Sequence, residues 1–247
     1  MKGKTNFNFF KFYISSFFIF SFLIFFSVEN NYGVDILKKA DFVLVPKIAS
    51  YFLKLVEKSG DVENTTIFKC FKKTDLKYLF FTIKPSSIYG QAHLRIEDSI
   101  WIYYPLADQM VQQSYKSAFL GTGLSYCDVM YNELVRYYDI KILDETYIYK
   151  EKNYKSYIKD NNEPVNSYKL LLTAKKGTQG YPKAIIFIDK KNFLTLKREY
   201  YSLSDQKLKE IYFYNFKFKY NHIESFYIEV IDYIGKEHIT YAFFDKI

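Results

Sequence analysis

The feature that most constrains this chain is an alternation of aromatic and polar residues, repeated in strand-length runs from Thr66 to the C terminus. In KLKEIYFYNFKFKY, residues 207–220, Tyr212, Tyr214, Phe216, Phe218 and Tyr220 recur at every second position, with Asn215, Lys217 and Lys219 between them. A period of two sends successive side chains to opposite faces of a strand, so this segment reads as a strand with one dry and one wet face. Similar runs fall near 66–73, 77–84, 91–97, 99–104 and 109–113, and again near 139–150, 168–174, 183–189, 193–202, 223–233 and 236–245. Turn chemistry separates them, as at Lys84-Pro85-Ser86-Ser87, Asp189-Lys190-Lys191-Asn192 and Leu203-Ser204-Asp205. The composition fits: 21% of the residues are aromatic, with 26 Tyr and 25 Phe, and such side chains suit a pleated, half-buried surface.

Repeated antiparallel hairpins with one apolar face must close into a barrel or be covered by helices, since otherwise face and edges would aggregate. The expected cover is an N-terminal helix pair. Val34 to Phe42 reads as the first helix. In the second, Ile48, Phe52, Leu55 and Val56 recur at i, i+4, i+7 and i+8, with Pro46 opening it and Gly60 closing it. Residues 114–137 break the strand rhythm. There Gly121-Thr122-Gly123 reads as a loop and Asp128 to Arg136 as a short helix capped by Asp128. The polar stretch 152–167 reads as a surface excursion.

A chain of 247 residues is long enough for one large β domain. Its first 27 residues differ from the rest: Lys2, Lys4 and Lys11 precede an uncharged, Phe-rich run from Phe12 to Ser27, the pattern of an export signal, with a retained inner-membrane anchor as the alternative. The domain proper is then 28–247. Without residues 1–27 the formal charge falls from +8 to +5, and lysines interspersed with acids make a solvated surface rather than a nucleic-acid site. Cys70 and Cys127, in an exported chain, permit one disulfide or two buried thiols.

Signatures of catalysis are missing: there is no G-x-S-x-G elbow, P-loop, dinucleotide fingerprint or H-E-x-x-H. His93, His222 and His238 have no metal-ligand spacing, and Asp98, Asp189 and Asp205 sit where turns place them. Neither a metal nor a cofactor is expected. What remains is a large aromatic interior, and periodicity does not separate a filled barrel from a hollow one.

Three segments resemble the outer-membrane lipoprotein-sorting family, the relatives of the periplasmic carrier LolA. Gly90 to Pro105, GQAHLRIEDSIWIYYP, is similar to that family's G-x-A-x-L-R followed by W-x-Y-x-P. Ser117 to Val129, SAFLGTGLSYCDV, is similar to its S-F-M-G-x-D-F-S-Y-x-D-L, with Gly123 in place of the usual Asp. Ile188 to Leu194, continuing through Lys197 to Tyr201, resembles its I-D-K-x-x-x-L-P-L-K-x-E-Y-Y hairpin, with Thr195 where Pro is frequent. An uncharged stretch, Gln109 to Gln113, replaces the arginine-containing segment that commonly follows W-x-Y-x-P.

The resemblance implies a mainly β, α+β fold: an unclosed antiparallel barrel with the helix pair and a short helical plug covering an apolar cavity. It implies a non-enzymatic periplasmic carrier of lipoprotein or lipid acyl chains, in transient contact with membranes and served by an inner-membrane exporter. The residues expected to line the cavity are Phe52, Leu94, Ile96, Trp101, Ile102 and Tyr104, with Tyr212, Tyr214, Phe216 and Phe218 from the alternating strand. Phe119 and Leu124 are expected at the rim, with Gly121 and Gly123 as the hinge of a movable plug. Two other readings use the same barrel. One is a phospholipase-like enzyme, for which Ser125 and His93 would be the residues to test; the other is an envelope subunit bound to an exporter.

Overall fold

The structure, a computed structural model, describes residues 32–44, 46–59, 61–130, 134–149, 164–178, 180–219, 222–234 and 239–245. The expected export signal at 1–27 lies outside these residues, as does most of the excursion at 152–167.

Among the described residues, thirteen strands form one antiparallel sheet. Its first six strands are β1 (Ala49–Ser59), β2 (Val62–Thr74), β3 (Lys77–Lys84), β4 (Ala92–Ile96), β5 (Ser99–Tyr104) and β6 (Gln109–Gln113). The other seven are β7 (Tyr138–Tyr149), β8 (Val165–Ala174), β9 (Lys183–Asp189), β10 (Thr195–Tyr201), β11 (Lys207–Lys219), β12 (His222–Asp232) and β13 (Ile239–Asp245). Across the sheet they run β6-β5-β4-β3-β2-β1-β13-β12-β11-β10-β9-β8-β7. Every hairpin is sequential except at the centre, where the first strand pairs with the last. The edges, β6 and β7, do not meet, so the barrel is unclosed as expected.

β1 corrects the expectation of a second helix. Tyr51, Leu53 and Leu55 are buried while Lys54 and Lys58 are exposed, which is also a period of two, and Ile48 is exposed. The helical reading placed Phe52 in the core, and here Phe52 belongs to the opposite face. The deciding influence is nonlocal: β1 pairs with β2 from Ala49↔Lys72 to Ser59↔Val62 and with β13 from Phe52↔Asp245 to Lys58↔Ile239. A helix here would leave the facing edges of both strands unpaired.

Only one helix of the expected pair is present, α1 over residues 32–44. Its buried stripe, Ile36, Leu37, Ala40 and Leu44, lies on the inner face of the sheet. Gly33 lets it approach β7, since a Cβ there would stand 3.1 Å from Ile140 Cγ2. No helix among the described residues is long and apolar enough to cross a membrane.

Two short helices lie between β6 and β7: α2 (Tyr126–Val129) and α3 (Leu134–Tyr137). The single helix expected from Asp128 is therefore split, and its cap is Ser125. Asp128 is instead the third residue of α2, where its Oδ2 accepts the Ser125 N–H at 2.8 Å, half of a capping box. Val165 to Ser167, assigned by sequence to a loop, begin β8.

The inner face carries a nearly continuous aromatic run across the sheet. Phe216 stacks on Phe226 (5.5 Å between centroids), Phe226 on Phe244 (4.4 Å), and Phe244 meets Tyr51 (5.8 Å). Tyr51 then meets Phe80 at 6.3 Å, and Phe80 meets Phe119 at 5.9 Å. Cys70 is buried on this face and Cys127 half-buried in the plug; both are free thiols, so the disulfide that the sequence permits is not formed.

Candidate functional site

The segment 114–130 folds as a plug against the inner face. Ala118 and Ser125 form an isolated bridge, and the Phe119 N–H donates to the Leu124 carbonyl at 2.7 Å. The chain turns between them through left-handed Leu120 (φ 56°) and Gly121 (φ 75°), with the Thr122 hydroxyl donating to the Phe119 carbonyl at 2.7 Å. This turn drives two apolar side chains into the sheet: Phe119 is 0% exposed and Leu124 1%. Phe119 sits at the centre of an aromatic nest, 5.3 Å from Phe68, 5.3 Å from His93 and 5.1 Å from Tyr126.

Polar side chains of the sheet tether the plug. His93 Nδ1 bonds the Tyr126 hydroxyl at 2.8 Å, and its Nε2 faces Gln91 Nε2 at 3.3 Å. Burial pushes the His93 pKa down to about 4, so the ring is neutral at neutral pH. Arg95 donates from Nη1 to the Met130 carbonyl at 2.8 Å and from Nε to the Glu97 carbonyl at 2.7 Å, and its guanidinium lies 4.8 Å from the Tyr115 ring centre. On the other side Lys209 Nζ reaches Asp128 Oδ2 at 2.8 Å and the Tyr181 hydroxyl at 2.6 Å. The Lys209 and Asp128 side chains are 5% and 1% exposed, so this ion pair is dry. The Ser125 hydroxyl donates to the same Asp128 oxygen at 2.6 Å. The Gly123 N–H meets Thr240 Oγ1 at 3.2 Å, binding the plug to β13 as well.

The expected cavity residues divide between the two faces. Ile102, Phe119, Leu124 and Phe216 are buried on the inner side. Phe119 and Leu124 lie deep in the core rather than at a rim. Tyr104 shares the parity of Ile102 but is exposed at the end of its strand. Leu94, Ile96 and Trp101 are on the outer face, because β4 pairs so that His93 stands between Phe80 and Ile102, both buried. Phe52, Tyr212 and Tyr214 are also outside. In β11 it is Ile211 and Phe213 that are buried, and a bulge at Asn215 (φ 49°) then shifts the parity so that Phe216 points in. Phe218 is exposed. Of the two glycines expected as a hinge, Gly121 takes the left-handed turn and is exposed, whereas Gly123 is buried against Thr240.

Sequence reasoning missed the polar tethers His93, Arg95, Asp128, Tyr181 and Lys209 as plug contacts. The visible signal is a cation or imidazole inside an alternating apolar run, as in AHLRI and KLKEI, since a buried polar group needs a partner. The chemistry of the set is that of a latch. Ser125 has Asp128, Cys127 and Tyr181 as partners, while His93 has Gln91 and Tyr126. Burial, with the Asp128 charge adding to it, pushes the Cys127 thiol up to about 12. Among the described residues no group of three or more His, Cys, Asp or Glu could hold a metal ion.

A family model described as "Uncharacterized protein" matches residues 74–247. The chain belongs to that family. A search of curated proteins by sequence gave no match. Among solved structures, a LolA superfamily protein from Nitrosomonas europaea superposes with a TM-score of 0.70 at 19% identity, covering 86% of this chain and 91% of its own. A domain described as outer membrane lipoprotein-sorting, from Vibrio parahaemolyticus, gives 0.68 at 16% identity, with 87% and 91% covered. A third structure, a DUF1329 family protein from Desulfovibrio piger, gives 0.69 at 18% identity, with 88% and 91% covered. The fold is thus LolA-like. Within that fold, α1 and the plug occupy the inner face of the open sheet.

Proposed function

We propose that this protein is a periplasmic carrier, exported by its segment 1–27, whose single domain 28–247 shelters acyl chains of lipoproteins or lipids and takes part in outer-membrane lipoprotein sorting. An inner-membrane exporter would supply the cargo. The observation that carries this reading is the plug: an aromatic inner face covered by a segment that contributes Phe119 and Leu124 to the core and is otherwise tied down by side-chain polar contacts. The LolA-like fold supports it.

The physical need is large. Each buried methylene is worth about 0.8 kcal/mol, so a chain of about sixteen carbons crossing water unshielded costs on the order of 10 kcal/mol. An acyl chain that displaces Phe119 and Leu124 exchanges one apolar filling for another and largely conserves buried area. What opening costs is then the tethers, about 1 kcal/mol for each neutral hydrogen bond and more where Lys209 or Arg95 is involved. Gly121, in its left-handed turn with nothing within 4 Å of where a Cβ would stand, gives the tip room to swing.

A cross-link tests the opening directly. A Cβ at position 123 would stand 3.3 Å from Thr240 Oγ1, which brings the pair Gly123→Cys and Thr240→Cys close to disulfide geometry. With Cys127→Ser added to prevent exchange, the oxidised protein should take up diacyl phospholipid at least about tenfold less than the reduced one by native mass spectrometry. Reduction should restore uptake. Equal uptake in both states would sink the movable plug, and no uptake by the unmodified chain would sink the carrier.

A further inference from the structure

The outer face of the sheet holds a groove of about 620 Å³ across β2, β1, β13, β12 and β11, the five strands around its centre. That volume lies within the roughly 300–1,000 Å³ of small-molecule sites. Two cross-strand rows floor it. One runs from Lys54 through Phe243 to Tyr227, the other from Phe52 through Asp245 and Ser225 to Lys217. Tyr227 and Phe243 are 5.5 Å apart at their ring centres, and Phe243 keeps 38% of its surface exposed although it lies mid-sheet.

Lys54 and Lys217 line this groove and Lys69 stands beside it, opposite Phe52, and these cations are arranged differently from those elsewhere on the same strands. Lys58 pairs with Glu63 and Lys219 with Glu224. Lys54, Lys69 and Lys217, in contrast, pair with no carboxylate among the described residues. Lys69 Nζ instead stands 4.3 Å from the centre of the Phe52 ring and Lys54 Nζ 5.7 Å from that of Phe243. Since Lys54 pairs with Ile67, and Phe52 with Lys69, the two lysines are diagonal neighbours on one face, and rotation of their flexible stems would bring both ammonium groups to one anion.

An aromatic trough edged by three lysines that form no ion pair among the described residues, with Asp245 as the one carboxylate in its lining, carries a net positive charge and suits an anionic amphiphile. We propose that this groove binds one acyl phospholipid with an anionic headgroup, its phosphate on Lys54 and Lys69 and its chain along Phe243 and Tyr227 towards Lys217. The site opens on the face opposite the plug, with Phe226 and Phe244 of the inner run also touching it, and does not rest on the carrier reading. An acyl chain fills a narrow trough of this size, and the lysines select the anionic headgroup over a zwitterionic one of equal chain length.

The test uses the full chain and two probes of the same acyl length, lysophosphatidylglycerol and lysophosphatidylcholine, each below its micelle-forming concentration, followed by calorimetry at low salt. The anionic probe should form a single-site complex about tenfold tighter than the zwitterionic one. Lys54→Glu with Lys69→Glu should abolish that preference while far-UV circular dichroism stays unchanged. Phe243→Ala should weaken both probes. Oxidising the cross-link engineered through Gly123→Cys and Thr240→Cys, which blocks only the inner face, should leave binding of these probes intact. Equal affinities for the two probes, insensitivity to the charge reversal, or loss of binding on cross-linking would each overturn the site. Sedimentation with anionic vesicles without a single-site complex would overturn it in favour of docking on a membrane surface.

Discussion

His93 shows how a polar residue is kept on an apolar face. It is fully buried, its ring lies 5.9 Å from Phe68 and 5.3 Å from Phe119, and Nδ1 faces the Tyr126 hydroxyl, so the neutral ring is well served and a charged one is not. Burial lowers its pKa from 6.5 to about 4. The sign follows: between these values the unfolded chain binds a proton that the folded one refuses, so stability is complete above about pH 6.5 and falls as the pH drops towards 4. The loss at pH 4.5 amounts to roughly 2.5 kcal/mol. Urea unfolding at pH 7.5 and 4.5 should show a steeper fall for the natural protein than for His93→Gln. Glu210 titrates in the same direction lower down. Burial opposes its charge, but bonds from Lys207, Tyr233 and Lys197 hold its pKa at about 2, and its contribution is common to both proteins and cancels. Parallel losses in the two proteins would mean that His93 is not the responsible group.

At the scale of elements, the plug is held by one dry ion pair whose two halves come from distant parts of the chain: Asp128 from the first turn of a helix and Lys209 from a sheet strand. Lys209→Met leaves the Asp128 carboxylate buried with one oxygen, Oδ1, already lacking a partner. It should cost about 3 kcal/mol, and Asp128→Asn added to it should recover part of that rather than sum with it. Hydrogen exchange across 114–130 should quicken in the single variant before the rest of the sheet does; uniform quickening would mean that the pair supports the whole fold and not the plug. The latch was hard to see in the sequence for the same reason that β1 was. Alternation in KLKEIYFYNFKFKY and SIWIYY is local, and it marked β2 to β13 close to their true bounds. Which parity faces inward is set by register, and a single bulge at Asn215 reverses it. Tyr212 and Tyr214 therefore face out, and Leu94 yields the interior to His93 and Arg95. The resemblance in 90–105 and 117–129 led to the correct fold and to Phe119 and Leu124 as apolar residues of the covering segment, but it placed them at a rim where the structure buries them in the core, and it carried no information on which strand residues hold that segment down.

The whole molecule is governed by its seam. β1 and β13 pair at the centre of the sheet, joining residues as far apart as Phe52 and Asp245, so the β1–β6 half and the β7–β13 half become one sheet only once β13 is in place. Across the inner face the halves are bridged further by the plug, which bonds His93 and Arg95 of β4, Lys209 of β11 and Thr240 of β13. Removing the last strand tests how much of this cohesion the seam supplies. A chain ending at Ile234 exposes the β12 and β1 edges together, uncovers Leu53, Leu55 and Val230, and removes Thr240 from the plug. It should lose the single cooperative unfolding transition and bind an apolar dye such as ANS, the behaviour of a sheet with secondary structure but without fixed packing. Retention of one sharp transition would mean that α1 and the plug alone hold the halves together. In that case a plug displaced by cargo would part the two halves as well, and loading should then be accompanied by faster hydrogen exchange along β1 itself.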